Sequence, residues 1–418
     1  PKLRMGAVEA QIPDLQHPHL TVKASGVTDL NAALGLVQQS PLAVFTGHAL
    51  DNAKAQGNAQ IAFDLDLPID HLEKTKVRGR VGFQKNALQL NADVPPLQQL
   101  QGMVQFHDQG FELLNVQGQA LGGAFKIEGG MPSLQQGVQL QARGLATAAG
   151  LQKDGNLPWM APITRAAQGQ AAYTVDVTAH EGVQKVLVRS DLRGMALNLP
   201  APLHKVADDT QALSVTQTLD AKTQELRVEV AGRGSVSYMQ DMSVQPAKLL
   251  RGRIVVGDVL PGSDAGAEGV IATVQLPVLD VDAWQTVWSD AASGNASASH
   301  TPQDWLPQRI NLNVDRLLLQ GRELEAVKAD FSQAQGVWRG RLNAKHFAGT
   351  LEYRAAESPE TSGRLFARLS HLSIPKTEVQ RLNQEPADAG QGEVESLPAL
   401  DIEVERLEIA GKSLGKLQ

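Results

Sequence analysis

Apolar and polar residues alternate along most of this chain. Between Asn58 and Leu67, the residues Ala59, Ile61, Phe63, Leu65 and Leu67 share one parity, and Asn58, Gln60, Asp64 and Asp66 share the other. A period of two is that of a β-strand with one face buried. The same alternation returns in two long copies, Ile310–Val327 and Leu400–Leu417. Laid over each other without a gap, they pair Val314 with Val404, Arg316 with Arg406, Leu317 with Leu407, Gly321 with Gly411 and Leu324 with Leu414. In both copies the apolar parity slips by one residue at the arginine, which predicts a bulge or bend there, because a one-residue slip turns a strand's apolar set to the opposite face. A tighter repeat joins Val77-Arg-Gly79-Arg-Val81-Gly-Phe83 to Leu100-Gln-Gly102-Met-Val104-Gln-Phe106, offset by 23 residues. Leu250-Arg-Gly252-Arg-Ile254-Val-Val256 has the same shape. Glycine within a strand costs stability, so its return at one place predicts a bend or a close backbone approach.

Further strands are expected at Leu20–Ala24, Val337–Leu342 and Gly349–Tyr353. Turns are expected at Asp108-Gln-Gly110, Gly122-Gly123, Gly129-Gly130 and Glu181-Gly182. Few helices are predicted, all short: Asp29–Gln38 capped by Thr28, Leu145–Leu151, and Asp280–Asp290 carrying Trp284 and Trp288 four residues apart as packing residues. Low-complexity tracts at Pro261–Ala267, Ala291–Pro302 and Glu385–Ser396 read as connectors. The fold class is all-β with a few short helices, an elongated antiparallel repeat sheet. Three stretches organise it: residues 1–155, a middle part over 156–300 that ends in the Trp-bearing helix and its loop, and the repeats of 301–418.

An apolar content of 42% with 20% charged residues supports a folded chain. A net charge of −7 without a dense Lys/Arg block argues against a nucleic-acid partner. There is no cysteine, which removes disulfides, thiolate-bound zinc and thiol catalysis. Of the histidines only His17 and His19 lie close together, and no His-Glu-x-x-His, phosphate-binding loop or nucleophile elbow occurs. Neither catalytic residues, nor a metal site, nor a cofactor is expected. Asp64 and Asp66 read as a solvated sheet face, not an acid/base pair.

The apolar parity must be covered by something. One reading is a closed sandwich or solenoid core, which would make the chain a scaffold. The other is a sheet folded lengthwise into an open, taco-like groove whose inner face holds acyl chains. Its lining would include Ile61, Phe63, Leu65, Val77, Val81, Phe83, Val104 and Phe106, which are expected to share one continuous face. An envelope enzyme with a site assembled from scattered residues is a third, weaker reading.

Resemblance bears on this choice. Pro96–Gly123, with Leu100-Gln-Gly102-Met-Val104-Gln-Phe106, Gly110-Phe111, Asn115-Val116 and Leu121-Gly122-Gly123, resembles the recurrent module of large bacterial AsmA-like proteins of the YhdP type. Leu192-Arg-Gly194-Met-Ala-Leu197-Asn-Leu199-Pro200-Ala-Pro202-Leu203, followed by His204 and Lys205, is similar to a second stretch of that family. Leu279-Asp280-Val-Asp282-Ala-Trp284 is similar to its helix-opening element, and Leu317, Gly321-Arg322, Trp338, Gly349-Thr-Leu351 and Leu397-Pro398-Ala399-Leu400 to its C-terminal modules. The resemblance covers most of 77–418; residues 1–57 match more loosely. It implies a β-groove protein of the periplasm, monomeric, held in the inner membrane by a helix N-terminal to this segment and reaching toward the outer membrane. It also implies phospholipid acyl chains as the ligand, moved without catalysis. On that reading the chain is an internal piece of a longer protein.

Overall fold

The computed structural model describes residues 6–12, 19–38, 50–71, 74–91, 94–154, 161–258, 268–293, 305–355, 363–376 and 399–417. Among them lie 24 strands and four short helices, the strands pairing both antiparallel and parallel. The chain divides into two compact units. The first is Pro1–Asn198, His204–Glu229 and Met242–Pro246; the second is Leu199–Leu203, Val230–Asp241 and Ala247–Gln418.

In the first unit, β1 (Ala7–Gln11) pairs with β2 (His19–Asp29), and β2 with β4 (Asn58–Pro68). The ladder continues through β5 (Lys76–Gln89), β6 (Leu97–His107), β7 (Gly110–Ala120), β8 (Gly123–Met131), β9 (Val138–Thr147), β10 (Ala167–His180), β11 (Val183–Ser190) and β13 (Leu213–Leu219), each antiparallel to the next. The chain then runs into β14 (Thr223–Val230). The short β3 (Lys54–Gln56) pairs with the end of β5, and β12 (Met195–Leu197) with the start of β10. Three helices, α1 (Leu30–Gln38), α2 (Ala148–Asp154) and α3 (Ala161–Arg165), follow the C-terminal ends of β2 and β9. Since β2 and β9 run in the same direction along the ladder, all three helices lie on one edge of it.

The first helix begins one residue later than expected. Its cap is Asp29, whose Oδ1 accepts from the Ala32 amide at 2.9 Å, while the Thr28 hydroxyl is buried and without a hydrogen-bond partner. Thr28 faces inward in β2, opposite Ala59, so its side chain cannot turn back to the helix. The second helix also starts late. Leu145, Ala146 and Thr147 remain in β9 because they pair with Ala172, Ala171 and Gln170. Gly129-Gly130 is not a turn either but lies inside β8, with Gly129 at φ 109° opposite Leu140.

The second unit holds β15 (Gly234–Asp241) to β24 (Lys412–Leu417), and here the antiparallel expectation fails in part. β16 (Lys248–Gly257), β17 (Gly269–Asp280) and β18 (Arg309–Leu319) are parallel neighbours, as are β22 (Arg364–Ile374) and β23 (Ala399–Ile409). Alternation is blind to strand direction, so it could not separate the two cases. Parallel neighbours need a long crossover, and the three connectors expected at Pro261–Ala267, Ala291–Pro302 and Glu385–Ser396 fall in those three crossovers. Residues 261–267, 294–302 and 385–396 themselves lie outside the described residues. The other neighbours, β18 to β22 through β19 (Arg322–Ala334), β20 (Val337–Asn343) and β21 (Phe347–Arg354), are antiparallel, as is β23 with β24.

The described helix of this unit, α4 (Val281–Ser293), leaves the end of β17. Asp280 Oδ1 caps it by accepting from the Ala283 amide at 2.8 Å. Asp282 reaches out of its first turn to the hairpin between β18 and β19, accepting from the Gln320 amide at 2.6 Å and the Gly321 amide at 2.8 Å. Gln320 and Gly321 have φ of 50° and 67°, the backbone of a tight two-residue hairpin turn, and Ala410 and Gly411 repeat it at 52° and 81°. Asp282→Ala should therefore loosen this turn. A lost charge-assisted bond is worth about 1 kcal/mol at an exposed site, so amide exchange at Gln320 and Gly321 should speed up about fivefold. Unchanged exchange would mean that the turn stands without the carboxylate. Trp288 does not pack, being 52% exposed, whereas Trp284 Nε1 donates to the Ala201 carbonyl at 3.0 Å.

Candidate functional site

Cross-strand register shows what the alternating residues build. In the first unit one row runs Gly26, Ile61, Val81, Val104, Leu113, Gly129, Leu140, Val177 and Val186, each directly opposite the next. No polar side chain interrupts it. In the second unit an equivalent row runs Val236, Ile254, Ala272, Ile310, Phe331, Gly340, Leu351, Ala367 and Ile402. The parallel pairings of β16, β17 and β18 leave this row intact, because paired residues point to one face in either direction.

The eight residues singled out in the sequence lie together. Ile61 faces Val81, Phe63 faces Gly79, and Leu65 faces Val77. Val81 then faces Val104, Phe83 faces Gly102, and Phe106 faces Gly79. The G-x-V-x-F repeat of two antiparallel neighbours thus sets valine against valine and each phenylalanine against the other strand's glycine. Sequence reading missed the continuation through Leu113, Leu140, Val177 and Val186, although each sits in an alternating stretch. It also missed the whole row of the second unit as a lining.

Burial is uneven over this face. Beside the helices it is a sealed core. Leu30, Leu34, Ala53, Ala55 and Ala59 cluster there, as do Ala148, Ala167, Ala171 and Met195, and between strands alone Leu100, Val116, Ala120 and Phe125 form a third buried cluster. In the first unit the rest of this face is mostly half-buried, while the second unit holds two further buried clusters, Leu276, Val314, Leu317 and Val327, and Ala367, Leu369, Val404 and Leu407. Of the eight, Ile61 alone is buried, at 9% exposure, and the other seven keep partial access to water. A line of backbone irregularities separates the two zones. The register shifts between Gln84 and Asn86, between Gln98 and Met103, and between Leu113 and Val116. Lys85, Gln99 and Asn115 take φ of 60°, 52° and 51° at these shifts. At the same line Asn86 is fully buried and bonds to backbone on both sides. It accepts from the Gln84 amide at 2.7 Å and donates to the Gln56 and Asn58 carbonyls at 3.1 Å each.

The phase slip of the long repeat appears in both copies, in two forms. Between β23 and β24 it is a register shift between Val404 and Leu407. Between β18 and β19 both strands slip together, so Val314–Val327 and Leu317–Leu324 stay in register while Ala326 takes φ 53°. In either case valine and leucine three residues apart are both buried.

The opposite face is polar and carries ion pairs. Glu352 meets Arg339 at 2.8 Å and Arg354 at 2.6 Å, and hydrogen bonds first from Arg339 and then from Arg354 hold its carboxyl below the usual range. Arg368 binds Asp401 at 2.8 Å, and Arg189 binds Asp176. Exposed pairs of this kind contribute little to stability; they keep this face in water.

The first unit also contains a buried cation. Lys205 is 1% exposed, and its ammonium donates to the carbonyls of Met195 at 2.8 Å, Val206 at 3.0 Å and Ala207 at 3.5 Å. Its own backbone closes a two-way bridge with Leu197.

The chain matches the family model described as YhdP protein over residues 2–418. It belongs to the YhdP protein family. The expected kinship thus holds along the whole chain, including the first 57 residues where the likeness was loosest. No curated protein and no solved structure matches it. The family is AsmA-like and of the bacterial envelope. No helix among the described residues is long and apolar enough to cross a membrane.

Proposed function

We propose that this chain is a conducting segment of a YhdP-type envelope protein. Phospholipid acyl chains travel along its apolar face between inner and outer membrane, with no catalytic step. The carrying observation is the pair of unbroken apolar rows, most of whose side chains keep partial access to water, Ile61, Ala272 and Ala367 being the buried members. A closed core would bury those residues as completely as Leu100 or Val116. An apolar face left partly wet gains about 0.8 kcal/mol for each methylene laid against it, while a headgroup at its edge stays solvated. Eight strand spacings of about 4.8 Å make each row roughly 38 Å long, so a chain can move along it without meeting a polar side chain. On this reading the lining is Ile61, Phe63, Leu65, Val77, Val81, Phe83, Val104 and Phe106.

The test is site-specific photocrosslinking in cells. An aliphatic diazirine residue at Val104 is expected to yield phospholipid adducts, and the same residue at the neighbouring, outward-facing Gln105 is not. Equal labelling at the two positions, or no lipid adduct at Val104, would count against conduction and favour a closed scaffold.

A further inference from the structure

Aromatic residues on the apolar rows are not placed at random. Phe63 and Phe106 flank Gly79, Phe83 faces Gly102, Phe125 and Tyr173 flank Gly144, Tyr238 faces Gly252, and Phe331 faces Gly340. At Gly79, Gly144, Gly252 and Gly340 a ring lies across the glycine, whereas at Gly102 the space is taken by the Asn115 and Val116 backbone. A Cβ built on Gly79 would fall 2.5 Å from Phe106 Cζ, one on Gly144 would fall 2.7 Å from Tyr173 Oη, and one on Gly252 would fall 2.6 Å from Tyr238 Cδ1. At Gly340 the Phe331 ring again occupies the space a Cβ would need. An aromatic ring over a glycine stabilises a sheet on either of its faces, yet here the pairing follows the apolar face. Phe366, which points outward, stands between Glu352 and Asp401 instead. Among the described residues, four inward aromatics lack a glycine opposite: Phe111, Trp338, Phe347 and Tyr353. Each occupies one of the first or last two positions of its strand, away from the middle of the face.

We propose that Gly79, Gly144, Gly252 and Gly340 are specificity-determining positions of the acyl-chain path. Each lets a ring lie flat over the neighbouring strand, so the floor stays level where an upright ring would obstruct it. A level apolar floor suits a linear acyl chain lying along the row. This role rests on the lipid reading above, and its test separates the two. An aromatic opposite side chains other than glycine should stand up and obstruct the path. Val104 faces Val81 and Leu113, so Val104→Phe creates that case, and adding Val81→Gly gives the ring a place to lie.

The experiment compares the parent chain, Val104→Phe and Val81→Gly/Val104→Phe in cells, with a diazirine residue at Leu113 reporting lipid adducts. The single variant should lose adduct about fivefold, and the double variant should recover to within about twofold of the parent. Undiminished labelling in Val104→Phe, or no recovery on adding the glycine, would overturn the role while leaving conduction standing. No adduct in the parent would remove conduction itself. If Val104→Phe fails to fold, Val177→Phe poses the same question against Leu140 and Val186, with Val186→Gly as the rescue and the reporter at Leu140.

Discussion

Lys205→Met is expected to destabilise the first unit by about 3–5 kcal/mol. Methionine fills nearly the same volume, so the loss falls on the hydrogen bonds. Lys205 is almost fully buried, and its ammonium serves the carbonyls of Met195, Val206 and Ala207. Bonds to a charged donor are each worth about 1.5–3 kcal/mol, and carbonyls left dry and unpaired cost more than the average bond contributes. The carbonyls come from β12 and from the segment after it, which the Leu197–Lys205 bridge ties together. The loss should therefore begin at this edge of the ladder. Urea unfolding followed by far-UV circular dichroism would measure it. A midpoint equal to that of the parent would show that the lysine is a passenger.

Val104→Asp should abolish most lipid delivery while leaving the fold nearly intact. The two readings of the apolar face part at this residue. In a sealed core an unpaired carboxylate costs several kcal/mol or stays protonated, and the sheet would lose its stability. Val104 is half-buried, so the carboxylate keeps water and the melting temperature should fall by only a few degrees. The path itself is interrupted, because the row from Ile61 to Leu113 then carries a hydrated charge. Displacing two methylenes from contact costs about 1.6 kcal/mol, on the order of a tenfold loss in delivery. The melting temperature of the purified chain and phospholipid transfer to the outer membrane together decide the matter. Collapse of the fold would favour a closed scaffold; an intact fold with intact delivery would remove Val104 from the path.

Much of the candidate site is legible in the alternation alone, because alternation reports which side chains share a face. Ile61, Phe63 and Leu65 share parity in one strand, and Val81 and Phe83 in the next. Only the register joins such sets across strands, and here the G-x-V-x-F repeat happened to match it. The irregular zone was far less legible. Lys85, Gln99 and Asn115 adopt positive φ without being glycine; asparagine tolerates that conformation, but nothing separates Lys85 and Gln99 from ordinary strand residues. Tertiary packing imposes that conformation, since the bulges go with the burial of Asn86, Leu100 and Val116.

That this chain is a repeated β-sheet with one apolar and one polar face was readable from the alternation, since a period of two needs no partner to be read. The sequence also paired Gly321 with Gly411 through the alignment of the two long copies, but that both close tight hairpin turns came from the backbone of the fold. Only the tertiary structure decided strand direction, as at β16, β17 and β18, because parallel and antiparallel neighbours present the same alternation. It alone set which glycine meets which ring, since those partners are brought together by register over tens of residues. And it alone placed the Lys205 ammonium in the interior, where three backbone carbonyls replace the water that a lysine ordinarily requires.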